Sequence, residues 1–353
     1  MAAALEDTPV TYEDLADIEQ DFDHVETEII RQQVKLTGSL YERRQKTVAQ
    51  IPNFWALVLE QAPPDIDQYI QPSDSALLLT RLTSLYVSHF EIEGPDSSEH
   101  GHPRSFSIKL EFAENDYFED TVLEKKFWYR RAKDGWAGLV SEPVPVKWKK
   151  GKDLTNGLLD LACAAREAEK RGDAAQATSR EAEQLKLNSA QEALRKAVEK
   201  LSLGGLSFFN WFGYIGRRIT ADESAEATKL EAERREKKRQ GQKAESSTDE
   251  ADDEEDILPG DLDMALEIFP GGDELALAFN EDLWPDAIQY FSELKSGPVE
   301  AGHAYANDEI AEAQEEDGIS DSDFESEDQD LAVTLQDNLE SGEDKPPAKK
   351  QRT

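Results

Sequence analysis

The sequence predicts an α+β fold: a long N-terminal helix, then a four-stranded antiparallel sheet backed by helices, then an acidic C-terminal region with no core of its own. Three observations carry this prediction. Apolar residues recur at helical spacing from Leu15 to Leu40. Segments rich in β-branched and aromatic residues follow one another between Leu85 and Trp148, separated by turn sequences. Of the 76 Asp and Glu residues in the 353-residue chain, 34 lie between Glu245 and Asp344, where Lys295 is the only Lys or Arg.

The first helix is expected over Thr11 to Ile51, with Thr11 as N-cap, Asp14 three residues later, and Pro52 as the stop. Leu15, Ile18, Phe22, Val25 and Ile29 keep strict 3,4 spacing; Gln32 interrupts, and Leu36 and Leu40 resume it. This is a coiled-coil seam of about three heptads. A helix of roughly 40 residues is longer than one small core needs, so the seam predicts pairing of two chains.

From Asn53 to Leu82, Pro63, Pro64 and Pro72 punctuate short helical pieces, with Ser73 or Asp74 placed to cap the run that follows. Strands are expected at Leu85 to Glu93, Ser105 to Phe112, Val122 to Arg130 and Val140 to Trp148. In the second, Phe106, Ile108, Leu110 and Phe112 alternate with Ser107, Lys109 and Glu111, so one face is buried and helices must cover it. After Lys150 the pattern turns helical. Lys170 to Asp173 reads as the turn of a helical hairpin, with Gly172 closing one helix and Asp173 capping the next. Leu187, Ala190, Leu194, Ala197, Val198 and Leu201 form the apolar stripe of its second helix. Aromatic residues concentrate in 206–219 and again from Trp284 to Phe291, which predicts that folded structure resumes near Glu281, inside the acidic region. The intervening stretch from Asp261 to Phe279 is too apolar for a simple linker.

Composition excludes several function classes. Cys163 is the only cysteine, and His24, His89, His100, His102 and His303 are scattered, so no disulfide, zinc set or nucleophile motif is spelled out. His100 and His102 share a loop but supply too few ligands for a metal. With no P-loop, GxGxxG or HExxH, the expectation is no enzyme, no cofactor and no metal. The N-terminus has no signal-like apolar run, and the expectation is a soluble, non-secreted chain without membrane association. A net charge of −37, with 33 of those charges between Glu245 and Asp344, predicts a polyanionic, disordered region that meets basic partners. Acidic residues three positions after Ser246, Ser247, Ser320 and Ser322 make these candidate phosphorylation sites. Basic residues between Lys229 and Lys243 read either as a charged, solvated helix with i,i+4 pairs or as a targeting signal. Lys345, Lys349, Lys350 and Arg352 form the better candidate nuclear localisation signal, which predicts a nuclear protein that can shuttle with the cytoplasm.

Five stretches in order resemble the nucleosome assembly protein family, in its SET/template-activating-factor branch: Ile51 to Trp55, Phe112 to Phe127, Val146 to Thr155, Ser207 to Phe212 and Glu281 to Phe291. The resemblance implies a histone chaperone that dimerises through the long helix, carries an "earmuff" domain of four strands backed by helices, and ends in an acidic tail. It places Leu15, Ile18, Phe22, Val25, Ile29 and Leu36 at the dimer interface, and Phe54, Trp55, Phe112, Tyr117, Phe118 and Trp148 in the core. It points to Asp222, Glu223, Glu281 and Asp282 near the histone-facing surface; in the tail, Glu315, Glu316, Asp317, Asp321 and Asp323 are candidates by charge. Core histones are the implied partners, bound without ATP and without sequence-specific DNA contact. The alternative is a regulatory adaptor of a histone acetyltransferase, or an inhibitor of phosphatase 2A. Two departures from the family pattern are the helices at about 158–203 and the charged insert after Lys229. The expected division is 1–10 disordered, 11–51 dimerisation helix, 52–220 earmuff, 221–260 charged insert, largely disordered, 261–295 returning core and 296–353 acidic tail.

Overall fold

The computed structural model describes residues 11–93, 101–176, 187–200, 206–239 and 264–293. Helix α1 spans Tyr12–Val48. Thr11 caps it reciprocally: its hydroxyl accepts the Asp14 N–H at 3.2 Å, and the Asp14 carboxylate accepts the Thr11 N–H at 2.9 Å. The helix ends at Val48 rather than Ile51, because Pro52 disfavours helical geometry at the residue before it. Asn53 then turns the chain through a left-handed conformation (φ 58°) into α2, Phe54–Glu60.

Short helices α3 (Pro64–Asp67) and α4 (Pro72–Arg81) follow. Gln71, not Ser73 or Asp74, is the N-cap of α4. Pro72 takes the first helical position, where its missing N–H costs nothing, and Asp74 sits at the third, accepting the Gln71 N–H at 3.0 Å. Asp74 is fully buried; it also accepts the Ser207 hydroxyl at 2.6 Å and the Phe208 N–H at 2.7 Å, tying α4 to the first aromatic segment.

The sheet is a meander in the order β1 (Leu82–Ser88), β2 (Phe106–Phe112), β3 (Val122–Arg131), β4 (Ala137–Ser141), antiparallel throughout. β1 and β4 both begin earlier than expected. Pro143 and Pro145 cannot donate to a ladder, so β4 stops at Ser141, and the segment beyond it meets Phe118 through an isolated bridge at Trp148. The Ser141 and Val144 N–H groups donate to Ile215 and Phe212 carbonyls, which covers this edge.

The core lies on the face bearing Phe106, Ile108, Leu110, Leu123 and Phe127, and the two aromatic islands converge on it. Phe208, Phe209, Trp211 and Phe212, in a 3-10 helix over Phe208–Gly213, are buried against the sheet. Trp211 stacks on Phe127 and on Phe279, and Trp284 stacks on Trp55 at 5.7 Å. Phe54, Trp55, Phe112 and Phe118 are buried, with Tyr117 and Trp148 half-buried beside them. Lys125 is the exception in this core. It is fully buried on β3 and donates to the carbonyls of Glu142, Phe212 and Tyr214 at 2.9–3.1 Å.

Helix α5 runs Leu158–Gln176 straight through Gly172, so the expected turn at Lys170 to Asp173 is absent. Gly at one helical position costs only about 1 kcal/mol, which the surrounding alanines and the buried start of α5 offset. Helix α6 (Ser189–Val198) is capped by Asn188 and packs Leu194 against Leu158, Ala162 and Ala165, with Leu266 and Ile268 in the same cluster. Arg166 holds Glu142 through two bonds at 2.7 and 3.0 Å, and Glu169 joins Arg166, Arg218 and Gln191. Helices α5 and α6 are therefore a braced part of the fold. The charged stretch that begins at 221 is not disordered at its start: helix α7, Ala221–Arg239, buries Ala227, receives the Arg131 N–H on Ser224, and pairs Arg235 with Asp17 and Asp21 of α1. The pairing of Lys229 with Glu233 at 3.9 Å matches the charged-helix reading. The returning core runs from Met264 through α8 (Gly272–Leu277), a π-helical turn over Ala278–Leu283, and α9 (Ala287–Glu293).

Candidate functional site

The helical period of α1 gives it two working faces. Outward on the single chain lie Leu15, Ile18, Phe22, Val25, Ile29, Leu36 and Leu40, each between 44% and 72% exposed. At 1.5 Å per residue this is an apolar strip roughly 37 Å long, far more than scattered surface leucines. Turned the other way are Asp23, Glu26, Ile30, Val34, Thr37 and Tyr41, which form one wall of a cleft of about 800 Å³.

The opposite wall comes from the sheet: Tyr86 and Val87 of β1, Phe106 of β2, Tyr129 of β3 and Leu139 of β4. Asp273, Leu277, Asn280, Glu281 and Trp284 close it from the returning core. Among the described residues lining it are five carboxylates, Asp23, Glu26, Glu93, Asp273 and Glu281, and one Lys or Arg side chain, Arg104. Its walls are aromatic and its charge is negative.

Arg104 reaches across the cleft. Its Nη1 donates to Asp23 at 2.7 Å, its Nη2 to Glu26 at 3.0 Å, and its guanidinium carbon lies 5.3 Å from the centre of the Tyr129 ring. Burial alone would weaken its hold on the proton, but the bond to Asp23 together with the charges of Asp23, Tyr129 and Glu26 more than compensates. The loop that carries it is held on both sides. His102 stacks on Tyr129 at 4.2 Å and donates its main-chain N–H to Glu91; the Gly101 carbonyl accepts from Arg31 of α1. A Cβ at Gly101 would lie 2.0 Å from the Glu91 carbonyl oxygen, so only glycine fits this approach. Burial, then Arg104, lowers the His102 pKa to about 4, and burial lowers that of His89, whose Nδ1–H donates to the Pro103 carbonyl at 2.7 Å. Both histidines are neutral near pH 7, leaving Arg104 as the cleft's cation.

Glu281 is the least compensated acid. It forms no ion pair among the described residues, and burial first, then the Glu26 charge, raises its pKa against the pull of Arg104. Of the four folded candidates named from the sequence, Glu281 alone lines the cleft. Asp282 turns away to accept the Tyr290 hydroxyl at 2.6 Å. Asp222 and Glu223 are exposed in the first turn of α7, and Glu223 is spent on capping Thr220. Sequence reasoning missed Asp23, Glu26, Arg104 and Tyr129. The signal available was a second stripe on α1, offset from the seam. Glu315, Glu316, Asp317, Asp321, Asp323, the serines 246, 247, 320 and 322, and Lys345, Lys349, Lys350 and Arg352 lie outside the described residues.

Among the described residues no group of three or more His, Cys, Asp or Glu is placed to hold a metal ion, and burial pushes the Cys163 thiol up to about 11, where it stays protonated. No described helix is long and apolar enough to cross a membrane.

A family model described as nucleosome assembly protein (NAP) matches residues 12–294. A candidate nucleosome assembly protein of Schizosaccharomyces pombe is 38% identical over 154 residues, which are 40% of this chain and 59% of that protein. Vacuolar protein sorting-associated protein 75 of Saccharomyces cerevisiae is 24% identical over 342 residues, 96% of this chain and 93% of the relative. Protein SET of Drosophila melanogaster is 34% identical over 127 residues, 35% of this chain and 43% of the relative. Among solved structures, Ccp1 aligns at 25% identity and a TM-score of 0.46, covering 82% of this chain and 97% of that one. The Vps75 histone chaperone aligns at 21% and 0.45, covering 80% and 97%.

Proposed function

The chain belongs to the nucleosome assembly protein family, and on that premise we propose that it is a homodimeric, nuclear histone chaperone that works without ATP. It pairs through the exposed strip of α1 and takes core histones on its earmuff surface and its acidic C-terminal region. The observation that carries this reading is the concentration of charge: 33 of the 37 net negative charges lie between Glu245 and Asp344, whereas residues 1–244 carry a net charge of −8. Histones expose clustered Lys and Arg that otherwise bind DNA phosphate without order, and a polyanion competes for those groups. The folded body supplies shape, and the acid supplies affinity that salt can tune.

The α5 and α6 helices, which from sequence are the natural docking module for an enzyme partner, share their buried side chains and ion pairs with the body. That arrangement gives the adaptor reading no specific support. The test is assembly on relaxed plasmid DNA with purified core histones and no ATP. The chain is expected to introduce supercoils in proportion to its amount, up to histone saturation. Histone aggregation on the DNA at every chaperone ratio contradicts the reading.

A further inference from the structure

The cleft between α1 and the sheet has the chemistry of a cation site, already filled by a cation of the chain's own. We propose that it is a docking groove for a lysine- or arginine-rich peptide segment, and that Arg104 is an intramolecular placeholder which such a segment displaces. This rests on the chaperone reading for the identity of the partner, since histone tails are such segments, but the site itself is defined by geometry.

Four observations converge. The walls present aromatic faces, and one of them, Tyr129, already carries a guanidinium at 5.3 Å, the arrangement by which aromatic rings attract Arg and Lys. That guanidinium is gripped by Asp23 and Glu26, both from α1, and it hangs from a loop rather than from a strand. Among the described residues the carboxylates in the lining exceed the single cation by four, and Glu281, which feels the charge of Glu26, forms no ion pair. A volume of about 800 Å³ admits several side chains in addition to Arg104. An incoming Lys or Arg that meets Glu26 and Glu281 together neutralises two carboxylates that repel each other, which Arg104, paired with Asp23 and Glu26, does not do. Nucleic acid is excluded by the sign of the charge.

The charged C-terminal region also attracts basic peptides, so the readout must report position. A photoreactive benzoylphenylalanine replaces Leu277, which lines the cleft, or Ile288, which is 54% exposed and lies outside it. The full chain is irradiated with a synthetic lysine- and arginine-rich peptide, and adducts are counted by mass spectrometry. Adducts are expected from position 277 at about ten times the yield from 288. The Glu26→Gln/Glu281→Gln pair should lower the yield at 277 about tenfold, and Arg104→Gln should raise it about threefold. If Arg104→Gln loosens α1 and fails to fold, the glutamine pair decides alone, since it keeps the size of both side chains. Equal yields at 277 and 288, or a yield at 277 unmoved by the glutamine pair, overturn the proposal. The plasmid assay separates the two readings: supercoiling without adducts at 277 removes the groove and keeps the chaperone, whereas adducts without supercoiling keep a basic-peptide site and remove the chaperone.

Discussion

Lys125 shows how much a single buried group can decide. Its ammonium lies wholly inside an aromatic core, and burial, opposed by the charge of Glu267, lowers its pKa to about 7. Three carbonyls from Glu142, Phe212 and Tyr214 converge on its Nζ, so it ties β3 to the segment that covers the β4 edge. The folded pKa is lower than the unfolded one, which means the unfolded chain binds the extra proton between pH 7 and about 10.5. Stability from this group therefore rises with pH across that window, by up to about 1.4 kcal/mol per unit, and is flat below it. Lys125→Met, similar in length and apolar, should abolish that slope and cost about 2 kcal/mol at pH 7, because the carbonyls lose their donor. Urea denaturation of both proteins from pH 6.5 to 9.5 measures it; parallel curves contradict the assignment. Asp74 is the acidic counterpart. Burial raises its pKa, while Ser207, Phe208 and Gln71 donate to the carboxylate and oppose the rise.

Helix α1 was legible in the sequence because both its signals are local. Thr11 and Asp14 form the expected capping box, and the seam residues from Leu15 to Leu40 are exposed together on the chain. The alternation of Phe106 to Phe112 likewise gave β2 its limits to within a residue. What failed depended on distant partners. The run from Val140 to Trp148 reads as a strand by composition, but Pro143 and Pro145 deny it a ladder. Gly172 reads as a helix end, yet α5 continues because its start is anchored in the core by Leu158 and Leu159. The cleft was invisible for the same reason: residues 23, 26, 104, 129 and 281 meet only after the sheet has folded. The seam carries its own prediction. Phe22→Asp/Ile29→Asp places two charges on the strip without touching the inner face of α1, so the chain should sediment as a folded monomer, with helix content kept. A dimer that survives at micromolar concentration contradicts pairing through this face.

At the scale of the whole molecule, the chain divides its labour by charge. The body folds around two aromatic islands, in 206–219 and from Trp284 to Phe291, and the second of them interrupts the acidic stretch. That placement returns the chain to the α1–sheet cleft, where Glu281 joins Asp23 and Glu26. Under the proposed chaperone function this predicts two layers of histone contact. One is a shaped surface whose partly buried charges are weakly screened; the other is a polyanion whose attraction fades beyond about 10 Å at 0.1 M salt. The most direct test is the affinity for H3–H4 and for H2A–H2B across a series of salt concentrations, with the intact chain and with a chain ending after Ser296. Truncation should weaken binding at low salt by tenfold or more and flatten the dependence on salt, so that the two proteins converge as salt rises. Equal slopes for the intact and truncated chains would contradict the division between folded surface and acidic tail.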